Sequence, residues 1–214
     1  MSCKVSVIIP NCDHGSFLNQ RIQSVLKQTF QDFEIIILDD CSTDNSKEII
    51  EHYREHSKIT SIIYNEKNSG SAFKQWEKGI SVARGEWIWI AESDDWCEAS
   101  FLDTIMDGLS ENDQCVLGYC QSFAVGDDGV ILWQTGARQL LAYHDGQEFI
   151  NNRLLYVCDI VNASSVVWKK SEFQYIGKKY TNFKACGDWL FWIELVRRGQ
   201  IMVSGKMLNY FRKY

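Results

Sequence analysis

Proline is nearly absent from this 214-residue chain: Pro10 is the only one, so no proline-rich linker divides it and prolines do not mark its turns. A GxGxxG fingerprint and a GxxxxGK phosphate loop are also missing, which disfavours dinucleotide oxidoreductases and P-loop enzymes. The eight cysteines form no CxxC pair and share no metal-ligand rhythm with the four histidines, so they read as reduced thiols in a cytosolic compartment. No apolar run approaches the length of a membrane span, and Met1-Ser-Cys-Lys leads directly into the strand-like VSVII without the pattern of a signal peptide. Positive charge is scarce: 22 Lys and Arg face 28 Asp and Glu, and the formal net charge of −6 argues against a general nucleic-acid or anionic-lipid surface. A phosphate ligand on such a chain needs help from a cation.

What is present is apolar material for one substantial core, 45% hydrophobic and 13% aromatic, and hence a single domain over 1–214. Over 1–110, short β-rich runs (5–9, 33–38, 60–64, 86–91) alternate with stretches of helical apolar spacing (16–28, 44–56, 71–84). This α/β alternation predicts a mostly parallel sheet with helices on both faces and a ligand at the carboxyl ends of its strands. The polar segments following those strands are NCDHG, DDCSTDNS, NEKNSG and ESDD. Ser16, Thr43 and Ser71 fit helix caps, and Asp44 sits where a helix dipole favours negative charge. From 111 to 214 the pattern turns mixed, with strands at 114–125 and 130–133 joined by GDDG, a helix near 145–155, a strand at 163–168, a helix at 187–199 and strands near 201–204 and 207–212.

The segment WIAESDDW begins as a buried strand and sets Glu92, Asp94 and Asp95 within four positions. Two carboxylates about 5 Å apart repel by about 3 kcal/mol at an effective dielectric of about 20. Oxygen-rich clusters of this kind suit a hard divalent cation, Mg²⁺ or Mn²⁺.

Four ordered stretches, VSVIIPN (5–11), EIIILDDCSTDNS (34–46), the block from NSG to ARGEWIWIAESDD (68–95) and CGDWLFWIEL (186–195), resemble the family 2 glycosyltransferases of the GT-A fold over essentially the whole chain. The resemblance implies a Rossmann-like sheet and inverting, metal-assisted transfer of a sugar from a nucleoside-diphosphate donor, UDP-linked, to a hydroxyl of a glycan or lipid-linked acceptor. It also implies a cytoplasmic setting, with peripheral contact at the inner face of the membrane. Carried onto this chain, the acceptor for a uracil imide is Asp40 beside Asp39, and Pro10, Asn11 and Asp13 flank the base. Asn68 and Gly70 form the turn facing sugar or phosphate. Glu92, Asp94 and Asp95 match the DxD motif, with Asp95 nearest the metal, Asp94 on ribose or metal, and Glu92 replacing the usual first aspartate. Asp188 matches the general base. Trp96, Trp189, Ser164 and Ser165 border the acceptor and sugar, whereas Trp76, Trp87, Trp89 and Trp192 lie at core spacing.

Each residue also has a plainer reading. Asp39, Asp40 and Asp44 suit turn and cap positions, Asn-Ser-Gly is ordinary turn chemistry, and a helix-start aspartate such as Asp188 is a common cap. Departures at Cys12, Glu92 and Lys74-Gln75-Trp76 leave a non-catalytic nucleotide or metal binder open. A glycoside hydrolase pairing Asp188 with an acid of the ESDD cluster is chemically conceivable, but leaves Asp40 without a purpose.

Overall fold

The computed structural model describes residues 3–183 and 186–213. Its first four strands, β1 (Val5–Asn11), β2 (Phe33–Asp39), β3 (Ile59–Tyr64) and β4 (Trp87–Ile90), run parallel in the order β3-β2-β1-β4. Helices α1 (Gly15–Leu26), α2 (Ser46–His52) and α3 (Ala72–Val82) connect them. Every residue of β1 and β2 is buried, as their unbroken β-branched runs require of strands covered on both faces. Alternation along the strands divides the apolar side chains between two cores. Ile8, Ile36 and Leu38 pack with Trp76 and Ile80 of α3. Val7, Ile9, Ile35 and Ile37 pack with Leu18, Ile22 and Val25 of α1. At roughly 1.5–3 kcal/mol per fully buried aliphatic side chain, these two layers dominate the stability of this half.

The sheet continues through β5 (Trp96–Cys97), β6 (Cys115–Val125), β7 (Ile131–Gln134), β8 (Leu141–Asp145), β9 (Val166–Lys169) and β10 (Gln200–Arg212). β9 runs antiparallel between β4 and β6, β10 parallel to β6, and β5 antiparallel to β10, giving the mixed second half. Helix α4 (Phe101–Ser110) covers the β6–β10 pair; α5 (Gly146–Phe149) runs into a π-helical turn at Ile150–Leu154; and α6 (Gly187–Val196) packs Phe191, Trp192 and Leu195 into the first core. Trp76, Trp87, Trp89 and Trp192 are all buried, as their spacing predicts.

Several boundaries differ from the sequence expectation. Residues 163–165 form a 3-10 turn before β9 rather than part of it, and the strands near 201–204 and 207–212 are one strand whose pairing slips between Val203 and Met207. Neither Ser16 nor Thr43 occupies an N-cap; Ser71 does, without a side-chain cap bond. Asp44 does the capping instead. Its Oδ1 accepts from the Ser46 N–H at 2.9 Å and its Oδ2 from the Gly15 N–H at 2.7 Å, so one carboxylate holds the starts of α1 and α2 together. Burial opposes its charge, yet these bonds hold its pKa below the usual value.

Candidate active site

The carboxyl ends of the four parallel strands surround a cavity of about 750 Å³. Pro10, Asn11, Cys12 and His14 follow β1; Asp40 follows β2; Asn68, Gly70 and Ser71 precede α3; Glu92 and Ser93 follow β4; and Thr181, Asn182 and Phe183 close it from the segment before α6. Six of the residues expected from sequence, Pro10, Asn11, Asp40, Asn68, Gly70 and Glu92, therefore share one cavity.

The paired aspartates after β2 have different surroundings. Asp39 is a turn anchor: its carboxylate accepts from Asn11 Nδ2 (2.9 Å), Ser42 Oγ (2.6 Å) and the Ser42 N–H (3.0 Å). Asp40 lines the cavity, where Asn65 Nδ2 (2.6 Å), the Ser69 N–H (2.8 Å) and Ser69 Oγ (2.6 Å) donate to it. A carboxylate offers about four lone-pair sites, so an incoming imide must share or displace one of these donors. Asp13 is exposed in a left-handed conformation (φ 56°) and accepts from the Thr43 N–H at 2.6 Å, tying two strand-end loops together. The Asn68-Ser-Gly70 turn closes through Gly70 N–H to Asn68 Oδ1 at 2.7 Å, with Gly70 at φ 72°, a conformation open chiefly to glycine.

The acidic loop divides similarly. Glu92 faces the cavity and accepts from Trp76 Nε1 at 2.9 Å; burial first, then neighbouring Asp94, pushes its carboxyl up to about 8. Asp95 points into the protein. Asn162 Nδ2 (2.6 Å) and the Arg212 N–H (3.0 Å) occupy its two oxygens, and Arg21 lies 3.8 Å away. Burial and Asp94 raise its pKa while Arg21 opposes them. Asp94, half-exposed, is the one carboxylate close enough to act on both. Among the described residues no three His, Cys, Asp or Glu side chains converge as a metal cage. Mg²⁺-type sites that also use substrate phosphates take one or two carboxylates, and Asp94 with Glu92 fits that donor set.

None of the four residues expected at the acceptor border lines this cavity. Ser164 and Ser165 are buried behind the acidic loop, because the 3-10 turn carries them beneath it. Ser164 Oγ accepts from Arg21 Nη2 and from the Glu92 N–H, both at 3.0 Å, and Ser165 Oγ donates to the Asn162 carbonyl. Trp96 stacks on Tyr210 with centroids 4.8 Å apart and carries Arg212 over its ring. Trp189 Nε1 donates to the Leu154 carbonyl at 2.7 Å, joining α6 to the π-helical turn.

Asp188 stands in the first turn of α6, half-buried, with its pKa raised by burial. The sequence Cys186-Gly187-Asp188 explains its placement. Cys186 takes a left-handed conformation (φ 60°) that turns the chain into the helix. A Cβ at Gly187 would lie 2.4 Å from the Tyr180 carbonyl oxygen and 2.6 Å from the Phe73 ring, so only glycine lets the helix start press against this wall of the cavity. Among the lining residues that sequence reasoning missed, Gln75 and His14 carry polar groups deep in the cavity. Gln75, 3% exposed, donates to Ser69 Oγ while its Oε1 has no partner among the described residues, and His14 Nδ1 lies 2.9 Å from Ser93 Oγ. Both lie in stretches that departed from the expected motif or had no code of their own.

Comparison with known proteins adds an independent line. Residues 6–165 match the pattern described as "Glycosyl transferase family 2". A "Glycosyltransferase GlyG" of Streptococcus pneumoniae is 32% identical over 177 residues, 82% of this chain and 55% of its own. The poly(ribitol-phosphate) beta-N-acetylglucosaminyltransferase TarP of Staphylococcus aureus is 28% identical, covering 90% of this chain and 57% of its own. Residues 1–349 of S. aureus TarS, solved in complex with UDP-GlcNAc, superpose with a TM-score of 0.79 at 24% identity, over 99% of this chain and 59% of that one. The chain thus spans a little over half the length of these relatives.

Proposed function

The chain belongs to glycosyl transferase family 2, and on that premise we propose that it transfers a sugar from a UDP-linked donor to an acceptor hydroxyl of a glycan or lipid-linked glycan, with inversion at the anomeric carbon. The base occupies the pocket floored by Pro10 and Asn11, with Asp40 accepting from its imide. Asn68, Gly70 and Ser71 face the diphosphate and sugar, and Asp94 with Glu92 holds Mg²⁺ or Mn²⁺. That ion, when bound, supplies charge neutralisation for the departing nucleoside diphosphate. Asp95 is a support, not a ligand: Arg21, Asn162 and Arg212 hold it so that Asp94 is presented outward. Asp188 takes the proton of the acceptor hydroxyl as that oxygen attacks. A lipid-linked acceptor would bring the protein to the inner face of a membrane; among the described residues no helix is long and apolar enough to cross one.

The observation supporting this reading most is the position of Asp188. Its helix start presses through Gly187 on Phe73, a wall of the acid-lined cavity, and its raised pKa suits a proton acceptor. Calorimetry of UDP binding with Mn²⁺ and then with excess chelator tests the donor and metal assignments. Binding at least about tenfold tighter with Mn²⁺ is expected, and Asp94→Asn should reproduce the chelated value; equal affinity in both conditions removes the metal from the site.

A further inference from the structure

Two phenylalanines are among the residues lining the larger cavity, and they are held differently. Phe73, in the first turn of α3, meets Trp76 and Tyr180 edge-on, with ring centroids 5.1 and 5.3 Å away, and packs against the first core. Phe183 is 51% exposed. An apolar ring left half in water among polar strand ends favours an occupant that covers it. Its position is tied to the side of the cavity that holds Asp40. The Phe183 N–H donates to the Tyr180 carbonyl at 3.3 Å, Tyr180 packs on Phe73, and Phe73 follows the 68–71 turn, whose Ser69 donates to Asp40.

The same lining includes two acceptors that lack a donor. Asn11 and Gln75 are 2% and 3% exposed, and neither Asn11 Oδ1 nor Gln75 Oε1 has a partner among the described residues. The paired aspartates set their orientation. Asn11 Nδ2 donates to Asp39 Oδ1 at 2.9 Å, and Gln75 Nε2 donates at 3.0 Å to Ser69 Oγ, whose own proton goes to Asp40 at 2.6 Å. Each amide is left with its oxygen as the spare group. A buried acceptor without a donor costs free energy, so this end of the cavity favours a ligand carrying N–H or O–H groups. A diphosphate offers acceptors only, and neither it nor a cation covers a phenyl ring. A nucleoside meets both demands, with imide and hydroxyl donors at its edges and a flat face on its base.

We propose that Phe183 is the stacking face for the donor's nucleobase, covering the plane of the base while Asp40 accepts from its edge. This role rests on the cavity taking a nucleoside-diphosphate donor. On the β1 side, Pro10, Asn11 and Cys12 bring no aromatic ring, and His14 is turned to Ser93 of the acidic loop, so the ring comes from the segment before α6. Every base has a π-face. Phe183 therefore adds affinity without selecting the base, and Asp40 selects it.

The test is calorimetric titration of the full chain with uridine, thymidine and guanosine diphosphates in the presence of Mn²⁺. Phe183→Ala should weaken every diphosphate that the wild type binds by at least about fivefold, and by factors within about twofold of one another. Phe183→Tyr should keep wild-type affinity, and Phe183→Leu should bind at least about threefold more weakly than Phe183→Tyr, because leucine covers the base without a π-face. All three variants should melt with the wild type, since the ring is half in water. Unchanged UDP affinity in Phe183→Ala overturns the proposal, and a fall in sugar transfer alone would assign the ring to the acceptor. A loss confined to uridine and thymidine diphosphates also overturns it, because that is the pattern of an edge reader. So does Phe183→Leu binding as tightly as Phe183→Tyr, which marks apolar cover without stacking. A wild type that binds none of the diphosphates refutes the donor reading itself, whereas UDP binding that is indifferent to the ring refutes only the stacking, so the two failures are distinguishable.

Discussion

Glu34 at the amino end of the parallel sheet and the acidic loop at its carboxyl end treat their carboxylates in opposite ways. At the amino end, Glu34 accepts from Ser6 Oγ, Thr60 Oγ and the backbone and guanidinium of Arg84, and against the effect of burial these bonds lower its pKa to about 2. At the carboxyl end and in the helix start facing it, burial raises the pKa values of Glu92, Asp95 and Asp188, and repulsion from Asp94 raises the first two further. One end has its charges satisfied and contributes stability. The other holds charges that favour a cation or a proton, which is the usual mark of a site that works on something else.

The largest expected effect lies at the reactive end. Asp188→Asn should lower sugar transfer by about 10²–10⁴-fold while UDP affinity and melting temperature stay at wild-type values. Asn caps a helix as well as Asp does, so unchanged turnover would assign Asp188 to capping alone.

Next comes the stabilising end. Glu34→Gln should cost about 2–3 kcal/mol of stability at neutral pH, read by urea denaturation, and leave UDP binding alone. The sign follows from a folded pKa below the unfolded one. The contribution of Glu34 is present above about pH 4.5 and is lost as pH falls toward about 2, so the variant should denature in acid with a shallower slope than the wild type. Equal slopes would dissolve the contrast between the two ends.

The smallest effect separates the two members of one pair. Asp40→Ala should weaken uridine and thymidine nucleotides by about 1.5–3 kcal/mol and guanosine ones hardly at all, whereas Asp39→Ala should lower melting temperature instead. If all nucleotides weaken alike with Asp40→Ala, its bonds to Asn65 and Ser69 are its whole role.

The same contrast explains what could be read from residues alone. Buried parallel strands announce themselves through unbroken apolar runs, so β1 to β4 and the edge carrying the polar segments were legible. Which of two adjacent carboxylates faces outward was legible for Asp39-Asp40 only through the family resemblance, which chose Asp40, the one that lines the cavity, and was not legible for Asp94-Asp95. In Asp39-Asp40 and Asp94-Asp95 the answer depends on where Asn11, Ser42, Asn162 and Arg212 come to rest, partners that mostly lie far along the chain. Ser164 and Ser165 were misplaced because a 3-10 turn, not a strand, carries them. β5 and β8 went unread: two residues show no alternation, and in LAYHD only Leu141 and Tyr143 share a face, too few to mark a strand. Gln75 was hidden by phase, since its cavity-facing position emerges only once α3 is docked.

Arg212 closes the acidic loop from the far end of β10: its N–H reaches Asp95, its Nε the Asp94 carbonyl, and its guanidinium lies over Phe17 and Trp96. The partners Asp95 and Arg212 are 117 positions apart. Contacts of such separation come late in assembly, because the entropy of closing so long a loop must be overcome before they form. The four parallel strands can therefore assemble around their own cores while the acidic loop stays unset. Refolding should regain the tryptophan signal of the buried core before it regains the ability to bind UDP, and the chain should acquire its shape before it acquires its chemistry.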